Sequence, residues 1–118
     1  MANAVKEKSF AFAVRTVNLY KYLCAEKREF VLSKQLLRSG AAVGALVREA
    51  MQGESKPDFV HKLAIALKEA NESEYWLELL NETKFLEPHQ FASMHEDLVE
   101  LLKLLTSIIN STKRGMRD

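Results

Sequence analysis

Histidine and acidic side chains are the residues of this sequence that could bind a metal ion or transfer a proton. A metal centre between helices needs several inward-facing carboxylates and Glu-x-x-His pairs, and only Asp58-x-x-His61 approximates such a pair. On a helix, His61 would lie about 160° from the apolar stripe that includes Phe59, so it faces away from the core. His89 and His95 are six residues apart and fall on different helix faces. We therefore predict no metal site and no cofactor.

Cys24, His95 and Glu74 are the remaining candidates for catalysis. Cys24 is the single cysteine, and no base or orienting group accompanies it, so we interpret it as a small buried residue. His95 lies on an apolar stripe and is interpreted as a hydrogen-bonded core residue. Glu74 also falls on an apolar side, where a carboxylate needs a cation or several hydrogen-bond donors. We expect a salt bridge within or between subunits, with Arg38 or Arg15 as the candidate partners. We therefore expect a protein that is not an enzyme.

The composition is typical of one globular domain. The 118 residues are 47% hydrophobic and 28% charged, with 4 Gly and 2 Pro, which argues against disorder and repeats. This length supports one core, so we predict a single domain over 1–118. A lone cysteine fits a reducing compartment, no apolar run reaches the roughly 18 residues that span a bilayer, and the N-terminus lacks a signal-peptide core. We expect a cytoplasmic protein without membrane contact.

Glycine and proline divide the chain into four segments with helical periodicity. The helices are predicted over about residues 5–26, 34–52, 56–83 and 88–113. Ser33 is the predicted N-cap of the second helix, and Ser55 caps the third, where Pro57 follows in the first turn. No strand alternation competes with this interpretation. Four helices with short connections predict an all-α fold, an antiparallel up-down-up-down four-helix bundle.

Two glycines lie inside the second predicted helix, at positions 40 and 44. Each costs about 1 kcal/mol relative to alanine in a helix interior. The compensation that we expect is a neighbouring backbone that needs the missing side chain. In a membrane the Gly40-x-x-x-Gly44 spacing would favour dimerisation, but no segment here spans a bilayer. We therefore predict a close helix–helix contact within a soluble bundle.

The first and third helices carry more apolar surface than one small bundle buries. In the first helix, Phe10, Val14 and Val17 belong to one stripe, and a second stripe follows about 110° away. The third helix has a second apolar side as well. We predict that the second stripes are contacts between copies of the chain, together with small residues of the second helix. The predicted interface residues are Phe12, Leu19, Leu23, Ala42, Ala45, Ile65, Trp76 and Leu79.

Charge is uneven along the chain although the total is only +1. Residues 1–62 contain eleven Lys or Arg and six Asp or Glu, whereas residues 63–112 contain three and nine. Three interpretations fit this asymmetry: a basic surface for a phosphate backbone, complementary faces for self-assembly, and ordinary solvated helix faces. Aromatic residues do not alternate with the basic ones in a pattern typical of base stacking. The candidate nucleic-acid-binding residues are Lys21, Lys34, Arg38, Arg48, Lys113, Arg114 and Arg117.

Two sequence elements are not dictated by helical periodicity. They are Gln-Leu-x-Arg-Ser at residues 35–39 and Glu-Ala-x-Glu-Ser-x-Tyr-Trp-Leu at residues 69–77. With them, the chain resembles the bacterial four-helix bundle proteins encoded in 23S rRNA intervening sequences, a family that includes the accessory variability protein of diversity-generating retroelements. The motif residues are Gln35, Arg38, Ser39, Glu69, Glu72, Ser73, Tyr75 and Trp76.

The resemblance implies a bundle that assembles into a homopentameric barrel and associates with RNA or with a reverse transcriptase; the partners that we expect are RNA or the ribosome, or a protein. It also implies structural roles for the motif residues, with Arg38 near Glu69 or Glu72 so that it links the second and third helices within or between subunits. The leading hypothesis is a non-enzymatic, oligomeric, RNA-associated bundle. The alternative is a structural adaptor that binds a protein partner, such as a reverse transcriptase, without contacting nucleic acid.

Overall fold

Four antiparallel helices form the bundle, which confirms the predicted all-α fold. The computed structural model describes residues 2–117, with side chains from residue 4 onward; Met1 and Asp118, the ends of the predicted domain, lie outside the described residues. The helices are α1 (Ala2–Glu26), α2 (Leu32–Met51), α3 (Lys56–Glu82) and α4 (Pro88–Arg117). Each helix contacts the next along the chain, and α1 also contacts α4. The result is a rod of 51 × 21 × 19 Å.

The buried stripe of α1 is the stripe that the sequence analysis placed between subunits. Phe12, Leu19 and Leu23 lie in the hydrophobic core, so their assignment to an interface was wrong. The other stripe faces outward, with Phe10 53%, Val14 44% and Val17 37% exposed. Both stripes are apolar and helical in period, so periodicity alone could not rank them.

Small side chains decide which stripe of α1 faces α2. A β-carbon placed on Gly40 would lie 2.8 Å from the Thr16 side chain, and one on Gly44 would lie 3.3 Å from the Ser9 carbonyl oxygen. The buried hydroxyl of Thr16 donates to the Phe12 carbonyl oxygen at 2.8 Å, so it is satisfied within its own helix. The predicted close packing at the two glycines is confirmed, and it requires the face of α1 that carries Ser9 and Thr16 to turn inward.

A glutamate in the α1–α2 connection caps α2. The Glu29 carboxylate accepts hydrogen bonds from the backbone N–H groups of Val31 (3.1 Å), Leu32 (3.0 Å) and Ser33 (2.7 Å). The Ser33 hydroxyl donates to the Glu29 carbonyl oxygen instead of capping, so the predicted cap was wrong. Burial raises the pKa of Glu29, but the backbone donors and the Ser33 hydroxyl outweigh it, and the pKa lies below its ordinary value.

The start of α3 follows its sequence signal. The Ser55 hydroxyl oxygen accepts the Asp58 N–H at 3.2 Å, and Pro57 lies in the first turn. These local signals fixed the beginning of α3 correctly because the partners lie within three residues of each other.

Candidate interaction surface

The family-like motif joins α2 to α3 on the side of the bundle away from α4. The Arg38 guanidinium forms ion pairs with the carboxylates of Glu69, at 3.4 Å, and Glu72. The Trp76 indole N–H donates to the same Glu72 carboxylate at 3.4 Å. The expected link from Arg38 to these acids therefore exists, and it lies within one chain.

A pair of buried hydroxyls connects the same two helices beneath these ion pairs. The hydroxyl oxygens of Ser39 and Ser73 lie 2.9 Å apart, and the Ser73 hydroxyl is also 2.9 Å from the Glu69 carbonyl oxygen. Small side chains at both positions let α2 and α3 approach closely. The other motif residues lie at the surface: Gln35 and Tyr75 are exposed, and the Tyr75 ring packs edge-on against Trp76.

Glu74 has a different partner from the two arginines that the sequence suggested. Its carboxylate lies 2.8 Å from Nε2 of His95, across the α3–α4 contact, and His95 stacks on Phe91. Arg15 instead bonds Ser93 and Asp97 of α4. The expected pairs of Glu74 with Arg38 or Arg15 were wrong, because Glu74 lies on the face of α3 that meets α4, whereas Arg38 meets the face that carries Glu72. His95 is hydrogen-bonded, as expected, but half-buried.

The remaining predicted interface residues lie toward the outside of α2 and α3. Ala45 is exposed, and Ala42, Ile65, Trp76 and Leu79 are half-buried. On α1 the exposed apolar surface is the outer stripe, which we define as Phe10, Val14 and Val17. The Arg48 guanidinium of α2 lies 5.1 Å from the centre of the Phe10 ring, so a cation of α2 borders the outer stripe.

The candidate nucleic-acid-binding residues are all exposed, but they form two groups. Lys21 and Lys34 lie at the end of the bundle where α1 connects to α2. Arg48 and the basic residues of the last turn of α4 belong to the opposite end, because α2 and α4 run in the same direction. Arg38 lies between the groups, and its charge is offset by its two carboxylate partners.

The α1–α2 connection carries a surface that the sequence analysis missed. We call residues 27–31 the tip loop. Phe30 is 52% exposed and Val31 69% exposed, and the Arg28 guanidinium lies 5.9 Å from the centre of the Phe30 ring. Aromatic and basic residues do not alternate along the sequence, and this single pair of Arg28 and Phe30 was not among the predicted sites. Its signal in the sequence is the run Lys-Arg-Glu-Phe-Val, in which two apolar residues directly follow charged ones in a short connection.

Metal-binding clusters and membrane-spanning helices are both absent from the part of the chain that the structure describes. Between residues 4 and 117, no three His, Cys, Asp or Glu side chains are grouped so that they could hold a metal ion. None of the helices α1 to α4 is long and apolar enough to cross a bilayer. His61 is exposed, as the sequence analysis expected.

Comparison with known proteins gives a family and a structural relative. A family model described as 23S rRNA-intervening sequence protein matches residues 1–107. A search of the curated proteins found no match. Among solved structures, the chain is similar to a protein of unknown function from the S23 ribosomal protein family of Bacteroides thetaiotaomicron, with 58% identity and a TM-score of 0.91. The match covers 92% of this chain and 97% of that chain, so it includes all four helices.

Proposed function

The chain belongs to the 23S rRNA-intervening sequence protein family, and we propose that it is a non-enzymatic, oligomeric bundle of the cytoplasm that associates with structured RNA or the ribosome. The link to ribosomal RNA in this proposal comes from the family, whose description is 23S rRNA-intervening sequence protein. The observation on this chain that carries the proposal is the state of its exposed cations, which lie at both ends of the rod.

Most of the candidate basic residues keep their charge available. Among residues 4–117, the ion pairs involve Lys8, Arg15, Arg38, Lys62 and His95. The other six candidates for RNA binding are exposed and pair with none of the described carboxylates. Unneutralised surface cations bind a phosphate backbone by releasing its counterions, and such binding weakens as salt increases. The expected mode is therefore electrostatic.

Self-association is supported by the outer stripe. Its three side chains are 37–53% exposed. They form an apolar surface on a helix whose other apolar stripe is already buried in the core. The occupant that we propose is another copy of this chain, since α1 and α2 are basic overall and residues 63–112, in α3 and α4, are acidic. Copies that place a basic face on an acidic face form a head-to-tail ring. The family resemblance implies five members.

RNA titration at two salt concentrations tests the RNA association. We expect a structured rRNA fragment to bind at about 50 mM salt and to bind at least tenfold more weakly at about 200 mM. The triple variant Lys113→Gln, Arg114→Gln, Arg117→Gln should bind more weakly and show a smaller salt dependence. The double variant Lys68→Gln, Lys103→Gln is the matched control, because these exposed lysines lie outside both groups. No binding at low salt, or binding indifferent to salt, contradicts the proposal.

Light scattering at micromolar concentration tests the self-association. We expect an oligomer for the unmodified chain and a smaller species for Val14→Ser with Val17→Ser, while the helical content is retained. A monomeric unmodified chain contradicts self-association. In that case a protein partner recovered without nucleic acid would favour the adaptor function, with the outer stripe as its contact.

A further inference from the structure

We propose that the tip loop binds an unpaired RNA nucleotide, with its base stacked on Phe30 and its phosphates held by the surrounding cations. This inference rests on the proposed association with RNA and specifies where and how one part of the RNA is recognised. It concerns a surface at the end of the rod, away from the outer stripe.

Two apolar side chains are exposed in the short connection between α1 and α2. Phe30 and Val31 are more than half exposed, whereas the next residue, Leu32, packs against the core. The Phe30 ring already has the Arg28 guanidinium 5.9 Å from its centre. Aromatic rings and guanidinium planes are the two side-chain surfaces on which proteins stack unpaired bases.

The backbone of the tip loop is held in place before any ligand binds. The Leu23 carbonyl oxygen accepts the N–H groups of Lys27, at 3.2 Å, and Glu29, at 3.1 Å. The Glu29 carboxylate bonds three further N–H groups from Val31 onward. Phe30 therefore projects from a fixed segment, and binding a base there orders little additional chain. Because Glu29 occupies the N-terminus of α2, phosphates must be bound by side chains and not by that helix end.

The charge around the ring favours an anionic partner. Four cations belong to the stretch from the last turns of α1 to the first turn of α2, namely Lys21, Lys27, Arg28 and Lys34. Glu26 is the exposed carboxylate of this stretch, because the Glu29 carboxylate is buried and hydrogen-bonded. A stacked base places its flanking phosphates within a few ångströms of such side chains, as in other single-strand sites.

The other connection at the same end of the rod lacks both features. In the α3–α4 connection, Phe85 is half-buried and Leu86 is buried, so its apolar side chains pack inward. Its one lysine, Lys84, lies between Glu82 and Glu87. An anionic membrane surface would meet these carboxylates as well as the cations. A single extruded nucleotide can contact the tip loop alone, and we therefore favour RNA over a lipid surface.

The test uses the full chain and an RNA hairpin with 2-aminopurine in its loop. We expect the unmodified chain to change the 2-aminopurine fluorescence at low salt and to bind the hairpin more tightly than a fully paired duplex of equal length. Phe30→Ala should weaken hairpin binding by about tenfold or more, the effect of removing one stacked base, and leave duplex binding unchanged. Phe30→Tyr should restore binding, because it keeps the ring. Since Phe30 is exposed, both variants should keep the thermal unfolding midpoint.

The outcomes separate this inference from the proposed function. Salt-dependent hairpin binding that is equal for the unmodified chain and Phe30→Ala overturns the stacking site and leaves the RNA association standing. Equal weakening of hairpin and duplex binding by Phe30→Ala also overturns it, because a duplex offers no free base. Absence of any RNA binding at low salt overturns both proposals. Phe30-dependent binding to anionic vesicles, without a change in 2-aminopurine fluorescence, assigns the tip loop to membranes and overturns the inference.

Discussion

The two sides of α1 are packed by different chemistry. Against α2, α1 presents the buried hydroxyl residues Ser9 and Thr16, which fit directly onto the two glycines. Against α4, it presents charged side chains at the surface: Arg15 bonds Asp97 and Ser93, and Lys8 pairs with Glu100. One side of α1 is therefore held by close packing against α2, and another side is held by ion pairs with α4 at the surface.

The α1–α4 contact is also the more open of the two. A groove of about 440 Å³ runs along it, between Arg15 and Tyr22 on α1 and Gln90 and Met94 on α4. Close packing contributes stability that depends strongly on shape, whereas exposed ion pairs contribute about 0–1 kcal/mol each. The α1–α2 contact should therefore dominate the stability of α1 in the bundle, and the α1–α4 contact should yield first under strain.

Gly40→Ala tests the α1–α2 side and should have the largest effect. Its β-carbon would clash with the Thr16 side chain, which is branched and buried and whose hydroxyl is bonded to the Phe12 carbonyl oxygen. Overpacking usually costs about 1–3 kcal/mol, and the helix propensity of alanine offsets up to about 1 kcal/mol of it, so we expect the free energy of unfolding to fall. Denaturant unfolding followed by circular dichroism measures this change.

Gly115→Ala is the matched control, since a β-carbon there has no atom within 4 Å. It should leave stability unchanged or raise it by up to about 1 kcal/mol through helix propensity. A Gly40→Ala protein as stable as the control would show that the α1–α2 distance adjusts freely.

Glu29→Gln tests the cap that joins α1 to α2, with an intermediate effect. The pKa of Glu29 lies below its ordinary value of 4.5, so its carboxylate stabilises the fold above about pH 4.5 and loses this contribution as the pH falls through the lowered pKa. At pH 7 the variant should lose about 0.5–2 kcal/mol of unfolding free energy, as other cap substitutions do. The difference from the unmodified chain should shrink in acid.

Unfolding curves at pH 7 and pH 3 measure this difference. Glu26→Gln is the control, because Glu26 is exposed three residues earlier and caps nothing. A stability gap for Glu29→Gln that stays constant from pH 7 to pH 3 is incompatible with an ionised cap.

Arg15→Gln tests the α1–α4 side and should have the smallest effect. Removing this exposed ion pair should lower the free energy of unfolding by less than about 1 kcal/mol, and the loss should disappear in about 1 M salt. Unfolding curves at low and high salt provide the measurement. A loss of more than about 2 kcal/mol that persists in salt would reverse the order of the two sides.

Local signals in the sequence predicted the bundle and the beginning of α3, because their partners lie within a few residues. The two glycines also predicted a close contact correctly, since a helix with missing side chains needs a near neighbour. The rotation of α1 was not predictable from its own pattern. It depends on Ser9 and Thr16 meeting α2, a contact between residues about thirty positions apart in the sequence.

The candidate sites show the same difference between contacts that the sequence signals and contacts that depend on how distant helices pack. The link from Arg38 to Glu69 and Glu72 was predicted from the family-like motif, because its two elements lie on the two helices that the link joins. The partner of Glu74 is His95 of α4, which lies outside the motif, so the motif did not predict this pair. The tip loop was missed because the exposure of Phe30 results from the Glu29 cap, a carboxylate reaching forward to the backbone of the next helix.

The length of the rod limits what one copy can reach. The tip loop and the basic last turn of α4 belong to opposite ends of a molecule 51 Å long. A small hairpin cannot bridge that span on a single copy. An RNA that binds both ends of one copy at the same time would need two folded segments separated by about the length of the rod. Binding of this kind would select RNA by the spacing of its folded segments.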